Sequence, residues 1–196
     1  KNKLEVDFIE KEIKMSPFYT AQGDSGDTGY LGPGRILKAS LRIEAVGSVD
    51  EASAALGLAR SFTKNEKTQT ILQQVQKQLY VLMSELSTDP SVAHQFDQMS
   101  KTEIDWLESE IAGLEDIVDI PRAFILPGEN PTSAALDLAR TVIRRAERRA
   151  IALLDAGEVK KTLLIAYLNR LSSLIFVLEI YEFTIDGSNV ALAKEQ

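Results

Sequence analysis

Apolar residues recur every three or four positions through most of the chain, the spacing that places them on one face of a helix. Segment 67–86 is the clearest case, with apolar residues at Ile71, Leu72, Val75, Leu79, Leu82 and Met83. The same spacing predicts helices over 101–114, 132–154 and 160–184, and a first helix over 52–62 that follows a capping-box sequence at 48–51. No segment alternates apolar and polar residues over a strand's length. The pattern therefore predicts an all-α fold, a five-helix bundle.

The last predicted helix, 160–184, is apolar on nearly all of its sides. Such a helix lies at the centre of a bundle or at an interface between subunits. Four polar residues interrupt the middle of this helix: Asn169, Arg170, Ser172 and Ser173. They need hydrogen-bond partners, because an unsatisfied buried polar group costs about 1–3 kcal/mol.

Composition narrows the class of protein. The 196 residues suit one domain, and we expect 1–17 to be an N-terminal extension and 18–190 to be the helical bundle. The chain has no cysteine, which excludes disulfides and thiolate chemistry and fits the reducing environment of the cytoplasm. A net charge of −7 makes nucleic-acid binding unfavourable, and no uninterrupted apolar run is long enough to span a membrane.

Segment 18–34 is predicted to be a loop at one end of the bundle. It holds five of the eleven glycines, at Gly23, Gly26, Gly29, Gly32 and Gly34. Glycine lets backbone N–H groups approach a ligand closely, and the hydroxyls of Thr20, Ser25 and Thr28 add hydrogen bonds that suit phosphate oxygens. Lys38 follows as a further charge, but no Gly-Lys-Ser/Thr ends the loop as in a Walker motif. A set of turns without a ligand is the alternative interpretation.

Five arginines, here called the arginine stripe, fall within ten residues of the fourth predicted helix: Arg140, Arg144, Arg145, Arg148 and Arg149. Three of them are spaced four apart and therefore share one face of the helix. A guanidinium offers a rigid fork that matches phosphate, so the stripe is a candidate polyphosphate clamp. Asp137 and Glu147 fall on nearly the same face, so a solvated face with internal ion pairs is the alternative.

The loop and the stripe belong to a series of five sequence blocks. The blocks are Tyr19-Thr20-x-x-Gly23-Asp24-x-Gly26-x-Thr28-Gly29, Arg42-x-Glu44-Ala45-x-Gly47-x-Val49-Asp50-Glu51, Phe124-Ile125-Leu126-Pro127-Gly128, Ala139-Arg140-Thr141-x-x-Arg144-Arg145-Ala146-Glu147-Arg148-Arg149 and Leu168-Asn169-Arg170-Leu171-Ser172. In their order and gaps, over about residues 18–182, they resemble the PduO-type ATP:corrinoid adenosyltransferases. The resemblance implies a five-helix bundle that assembles as a homotrimer with active sites between adjacent subunits. It also implies transfer of the 5′-deoxyadenosyl group from ATP to a cobalt(I) corrinoid, which gives adenosylcobalamin (a form of cobalamin) and triphosphate.

For the nucleotide, the resemblance assigns residues in the loop, in the stripe and in the last helix. The loop residues and the lysine after them are Thr20, Ala21, Gln22, Gly23, Asp24, Thr28, Gly29 and Lys38. The helical residues are Arg144, Arg145, Glu147, Arg148 and Asn169. By the resemblance, these side chains bind the phosphates, the groups linked to Mg²⁺ and the ribose of ATP. No residue is assigned as a direct metal ligand.

For the corrinoid, the resemblance gives catalytic roles to Phe124, Asp50 and Arg140. Phe124 matches the aromatic residue that lies beneath the corrin and expels the lower axial ligand of cobalt(II), which makes reduction to nucleophilic cobalt(I) feasible. Asp50 and Arg140 match an ion pair between subunits that shapes the site. A flavoprotein reductase is the partner that such a reduction would require. Without its flanking residues, Phe124 would be interpreted as a loop side chain that plugs the core.

The sequence departs from the family pattern at several positions, among them Ala21, Gln22, Glu129, Asp137 and Ser173. Two alternatives to an enzyme stay open. One is a non-catalytic relative that binds ATP or adenosylcobalamin as a sensor or carrier, and the other is a purely structural helical trimer. The single histidine, His94, falls in a polar segment, where we expect a solvated side chain rather than a metal ligand.

Overall fold

The computed structural model describes residues 18–120, 123–187 and 191–193. In those ranges the α-helices are α1 (Leu41–Phe62), α2 (Glu66–Leu86), α3 (Lys101–Glu115), α4 (Pro131–Asp155) and α5 (Leu163–Asp186). A 3-10 helix, Pro90–Gln95, lies between α2 and α3, and two short strands, β1 (Asp27–Gly29) and β2 (Arg35–Leu37), lie in and just after the glycine-rich segment. Helices therefore dominate the fold, as the sequence pattern predicts. The predicted extension, 1–17, falls outside the described residues.

The first helix begins at Leu41, so the prediction of a start at the capping-box sequence 48–51 is wrong. The N-cap is Ser40, whose hydroxyl accepts a hydrogen bond from the backbone N–H of Ile43 at 3.4 Å. Ser48 lies buried inside the helix and donates its hydroxyl to the carbonyl of Glu44 at 2.8 Å. Because a serine can satisfy its hydroxyl inside a helix in this way, a capping-box sequence alone does not fix a helix end.

The other four helices begin and end within three residues of the predicted limits. Side chains set three of the starts: Asn65 caps α2, Ser100 caps α3 and Asn130 caps α4. Pro131 occupies the first turn of α4, where a missing N–H costs nothing. The start of α5 departs most from the prediction, and Thr162 makes no side-chain capping bond there.

The prediction of an all-α chain misses a β-hairpin. The strands β1 and β2 pair antiparallel, with Asp27 opposite Leu37 and Gly29 opposite Arg35. Each strand has only three residues, too few for an alternating pattern to appear in the sequence. The turn between them contains Gly34 at a φ of 101°, a conformation that side chains with a Cβ rarely adopt.

Helix α1 packs against α2 and α4, and α5 packs against α3 and α4. The α1 and α4 helices carry alanines with no exposed surface: Ala45, Ala52, Ala59, Ala139 and Ala146. Small side chains let two helix backbones approach closely, which fixes α4 and its arginines relative to α1.

Helix α5 is buried along most of its length, which favours the central position of the two predicted alternatives. By length and composition it is the one helix in the described ranges that could cross a membrane, but 61% of its most apolar window is buried inside the bundle. Three of the four polar residues that interrupt its middle have partners, and the fourth, Ser173, is exposed. Asn169 donates to Glu147 at 3.0 Å, Arg170 to Glu108 at 2.8 Å, and Ser172 to the carbonyl of Asn169 at 2.9 Å.

One end of the bundle is tied together by Arg42, whose residue is only 3% exposed. Its Nη1 donates to the carbonyls of Leu86 at 2.7 Å and Thr88 at 3.0 Å, and its Nη2 to the carbonyl of Glu158 at 2.9 Å. One guanidinium therefore joins the start of α1, the end of α2 and the connection from α4 to α5. We call this region the Arg42 end of the bundle.

Candidate functional site

The glycine-rich loop is held in shape by two cations. Arg35 donates from Nε to the Asp27 carboxylate at 2.7 Å and from Nη2 to the carbonyl of Gln22 at 2.7 Å. This hydrogen bond holds the pKa of Asp27 well below its usual range. Lys38 donates from Nζ to the carbonyl of Gly23 at 2.7 Å. The two cations therefore hold the loop in shape by binding its own carbonyl groups. The role of Arg35 becomes visible only in the structure, where the pairing of β1 and β2 brings Arg35 to the loop.

Two positions show how tightly the loop turns. A Cβ at Gly23 would lie 3.0 Å from Nζ of Lys38 and 3.2 Å from the carbonyl oxygen of Asp27, so a side chain there would displace the lysine. Ala21 has a φ of 56°, a left-handed conformation that non-glycine residues seldom adopt. Of the other predicted ATP-binding residues of the loop, Thr28 is half-buried. The remaining four are exposed: Thr20, Gln22, Asp24 and Gly29.

The loop is attached at the Arg42 end of the bundle. The backbone N–H of Leu31 donates to the carbonyl of Ser87 at 3.0 Å, and the N–H of Asp89 donates to the carbonyl of Leu31 at 2.7 Å. The hydroxyl of Tyr30 donates to the Asp89 carboxylate. These contacts place the loop beside the end of α2, which Arg42 joins to the start of α1.

The arginine stripe divides into paired and open side chains. Arg145 forms an ion pair with Glu51 of α1, and Arg149 one with Glu44 of α1 at 3.3 Å. Arg140 donates to Asp137, one turn earlier on α4. Arg144 and Arg148, also one turn apart, are exposed and have no hydrogen bond or ion pair within the described residues. The predicted alternative of ion pairs within the α4 face therefore holds for Arg140, whereas Arg145 and Arg149 pair with α1. Within the described residues, Arg144 and Arg148 are free to bind an anion.

Asn169 and Glu147 lie beside the two open arginines. Asn169, exposed on α5, donates from Nδ2 to Oε1 of Glu147 on α4 at 3.0 Å. This bond orients a carboxylate and an amide on the surface that also presents Arg144 and Arg148. The described structure thus brings four of the predicted ATP-binding side chains together, in a group of charged and polar atoms open to solvent.

Phe124 does not plug the core. Its residue is 87% exposed, and its carbonyl accepts a hydrogen bond from the N–H of Ala193 at 2.8 Å, which pins the segment in place. The side chain fronts an open cavity of about 470 Å³, here called the Phe124 cavity. The cavity is lined by Ala123, Phe124, Ile125, Pro127, Asp137, Arg140, Phe176 and Glu179. An aromatic side chain held at the mouth of a cavity, rather than packed inside the protein, is available to a ligand.

Glu179 is the lining residue that the sequence does not single out. Its residue is 1% exposed, and neither of its carboxylate oxygens has a hydrogen-bond partner among the residues that the structure describes. The pKa of Glu179 is raised to about 7, mainly by burial and in part by the nearby Asp137, against the opposing effect of Arg140. The signal in the sequence is an acid, one of two, inside the apolar run of a helix that is apolar on nearly all sides.

The predicted pair of Asp50 and Arg140 does not form within one subunit. Asp50 is exposed on α1 and makes no hydrogen bond or ion pair in the part of the chain that the structure describes. Arg140 binds Asp137 instead, with Nε–Oδ1 2.8 Å and Nη2–Oδ1 2.5 Å, and its guanidinium lies over the Phe176 ring at 6.0 Å from the ring centroid.

A second cavity of about 500 Å³ lies at the Arg42 end. His94 lines it with an exposed side chain, in agreement with the expected solvated role. Lys161 lies there between Glu85, at 2.9 Å, and Asp97. Within residues 18–120, 123–187 and 191–193, no three acidic or histidine side chains are grouped so that they could hold a metal ion.

The fold and these sites define a class: a helical-bundle protein with an arginine-lined anion surface and an aromatic-fronted cavity on the same long helix. The sequence profile of the cobalamin adenosyltransferases matches residues 18–182. A corrinoid adenosyltransferase of Mycobacterium leprae is 38% identical over 173 residues, which cover 85% of this chain and 91% of that protein. The corrinoid adenosyltransferase PduO of Salmonella typhimurium is 37% identical over 163 residues, 82% of this chain and 48% of that longer protein.

Solved structures agree with the sequence relatives. A phenylalanine-to-alanine variant of the PduO-type ATP:corrinoid adenosyltransferase of Lactobacillus reuteri, complexed with cobalamin and ATP, superposes with a TM-score of 0.82 and 29% identity, covering 91% of this chain and 99% of that one. An arginine-to-lysine variant complexed with ATP superposes with a TM-score of 0.81 and 30% identity, covering 90% and 99%. The chain belongs to the cobalamin adenosyltransferase family.

Proposed function

We infer that this protein transfers the 5′-deoxyadenosyl group of ATP to the cobalt(I) of a corrinoid. Cobalt(I) supplies an electron pair to the 5′ carbon of ATP, the bond from that carbon to the triphosphate oxygen breaks, and its electrons leave with triphosphate. The observation that carries this assignment is the arrangement of α4, which presents the unpaired Arg144 and Arg148 and also forms a wall of the Phe124 cavity. Both are features that a purely structural bundle does not need.

The nucleotide is assigned to the glycine-rich loop and the arginine stripe. Arg144 and Arg148 suit the triphosphate because their guanidinium groups are open and the leaving group gains negative charge as the bond breaks. Arg145 is paired with Glu51 in this structure. We therefore propose that Arg145 orients the stripe, and that it binds the phosphates of ATP once they replace Glu51 as its partner. Lys38 and the loop would enclose the phosphates from the other side.

We propose that Mg²⁺ enters the site with ATP. Mg²⁺ keeps several waters and is held in such sites by phosphate oxygens and one or two carboxylates. Glu147 is the carboxylate within the stripe, and its orientation by Asn169 suits an oxygen ligand, direct or through water. When bound, the ion neutralises part of the charge on the leaving triphosphate.

The corrinoid is assigned to the Phe124 cavity. An exposed phenyl ring at its mouth can lie against a corrin face and exclude a lower axial donor. Removal of an axial donor from cobalt(II) lowers the energy of the orbital that must accept an electron, so reduction to cobalt(I) becomes feasible. We propose a flavoprotein reductase as the electron donor, and a cytoplasmic location, because cobalt(I) requires reducing surroundings.

We further propose a homotrimer whose sites lie between adjacent subunits, with residues 18–190 as the catalytic unit. In one subunit the glycine-rich loop is attached at the Arg42 end, whereas the Phe124 cavity lies near the start of α4. Nine residues of helix, about 14 Å of rise, separate Arg140 from Arg149. A second subunit can bring a loop to the stripe and can offer Asp50, which has no partner among the described residues of its own subunit, to Arg140. Sedimentation of a monomer alone at micromolar concentration would refute the assembly.

The test of the reaction is an anaerobic assay with chemically reduced cobalamin, ATP and Mg²⁺, following the loss of the cobalt(I) absorbance. We expect turnover in the wild type. Phe124→Ala should lose most of its activity when reduction must start from cobalt(II), and much less when cobalt(I) is supplied. Phe62→Ala, at a half-exposed phenylalanine outside the site, is the control. A wild type that binds ATP but forms no cobalt–carbon bond from preformed cobalt(I) would favour the sensor or carrier alternative.

A further inference from the structure

Arg140 and Glu179 have complementary, unused hydrogen-bonding groups in the same cavity. Arg140 gives the bonds from Nε and Nη2 to a single oxygen of Asp137, and its Nη1 makes none within the described residues. Glu179 has two buried oxygens without a hydrogen-bond partner in the described part of the chain. Both residues line the Phe124 cavity, and the Arg140 guanidinium rests on the ring of Phe176. Glu179 is close enough to Arg140 and to Asp137 for the charge of each to act on its carboxyl group, so two acids compete for one guanidinium.

We propose that Glu179 is a positioning residue for Arg140: its carboxyl group competes with Asp137 for the guanidinium and so sets where Arg140 points at the Phe124 cavity. The proposal rests on the assignment of Arg140 to the site. When Glu179 is neutral, Arg140 stays on Asp137 as in this structure, with Nη1 free for a carboxylate from an adjacent subunit. When Glu179 is ionised, it attracts the guanidinium towards the buried side of the cavity.

The charges around Glu179 make this competition sensitive to pH near neutrality. From α4 the groups that face it are Asp137 and Arg140, and the lining residues of segment 123–127 carry no titratable side chain. Among the described residues of α5, Phe176 and Glu179 line the cavity, and Phe176 carries no titratable group. Burial, more than the neighbouring carboxylate, raises the pKa of Glu179 to about 7. Two carboxylates and one guanidinium cannot all be satisfied as ions in a buried place, so the more buried acid takes up the proton.

The direct test is nuclear magnetic resonance of the arginine Nε–Hε groups in the full-length protein. The Arg140 resonance is assigned by its loss in Arg140→Lys and followed from pH 5.5 to 8.5. We expect it to shift with a midpoint near pH 7 in the wild type and to be independent of pH in Glu179→Gln. Glu182→Gln is the matched control: Glu182 is also a buried acid of α5, 6% exposed, but it accepts a bond from the Thr63 hydroxyl at 2.8 Å. That variant should keep the wild-type midpoint.

Asp137→Asn gives a second test with the opposite sign, which does not depend on the folding of Glu179→Gln. Without its acidic partner, Arg140 should bind Glu179, and the midpoint should move down by about one pH unit or more, because an adjacent cation favours the ionised acid. A midpoint that is absent in the wild type, that persists in Glu179→Gln, or that stays in place in Asp137→Asn would overturn the proposal.

Steady-state kinetics separate this proposal from the proposed function. The KM for the corrinoid should rise at least threefold between pH 6 and 8 in the wild type, with kcat changing less, and should be flat in Glu179→Gln. A KM profile that is unchanged by Glu179→Gln counts against the positioning role. The resonance of Arg140 requires no turnover. An inactive protein in which Arg140 follows Glu179 refutes only the function, and an active protein in which it does not refutes only the positioning role.

Discussion

The Arg42 end and the Phe124 cavity hold spaces of similar size, about 500 and 470 Å³. The first is lined mainly by the connections from α2 to α3 and from α4 to α5, the second by segment 123–127 and by side chains of α4 and α5. At the Arg42 end the buried guanidinium has three carbonyl partners, and Lys161 bridges Glu85 and Asp97. At the Phe124 cavity a buried acid has no hydrogen-bond partner within the described ranges, and a phenyl ring is exposed to solvent. Natural proteins leave such groups unsatisfied mainly at functional sites, so the difference separates a region that holds the fold from one that awaits ligands.

The largest effect is expected from breaking the Arg42 end. Arg42→Met leaves three buried or half-buried carbonyl groups without their donor and removes the partner of Glu158, so the free energy of unfolding should fall by about 3–5 kcal/mol. Urea unfolding at fixed protein concentration measures this. Arg35→Met is the matched control: its ion pair with Asp27 is solvent-exposed, so the change should stay below about 1 kcal/mol. A loss for Arg42→Met as small as that of the control would show that the Arg42 end does not hold the fold.

Glu179, the buried acid of the Phe124 cavity, should lower the stability of the folded protein, whereas Arg42 raises it. Burial raises the pKa of Glu179 from 4.5 to about 7, so the folded protein binds more protons than the unfolded chain between these values. The stability therefore falls as the pH rises through that window, by about 3 kcal/mol once the pH exceeds 7. Glu179→Gln should be close to wild type at pH 5 and more stable at pH 8. Thermal or urea unfolding of the wild type and of Glu179→Gln at pH 5 and pH 8 measures this. An equal difference in stability between the two proteins at both pH values would contradict the raised pKa of Glu179.

The comparison also shows what the sequence could predict. Helices α2 to α5 follow from apolar spacing, and the arginine stripe, the loop and Phe124 follow from motifs. The start of α1 does not, because Ser48 satisfies its hydroxyl within the helix and mimics a cap. The pairing of Arg35 and the isolation of Glu179 depend on which residues meet in space. Helical spacing shows that position 179 is buried, but the absence of a partner for it depends on the side chains of α4.

A smaller effect is expected within the stripe, where paired and open arginines can be compared directly. Arg144→Lys keeps the charge but loses the forked geometry, so ATP binding should weaken by roughly 1–3 kcal/mol. Arg149→Lys is the control, because Arg149 is already engaged with Glu44 on an exposed surface. Calorimetry with ATP and Mg²⁺ measures both. Unchanged affinity in Arg144→Lys would mean that the stripe is only a solvated face.

The smallest effect tests whether the loop at the Arg42 end is preformed. In Gly23→Ala the new Cβ would lie 3.0 Å from Nζ of Lys38, and the flexible lysine can move away, so the free energy of unfolding should change by less than about 1 kcal/mol. The affinity for ATP should instead drop a few-fold, because Lys38 loses its hydrogen bond to the Gly23 carbonyl. Lys38→Met should then weaken ATP binding by a similar amount, and the double variant should add little, since both changes remove the same interaction. Calorimetry with ATP on the wild type, the two single variants and the double variant gives the double-mutant cycle. Full additivity would show that Gly23 and Lys38 act independently, and that the loop takes its shape only when the nucleotide binds.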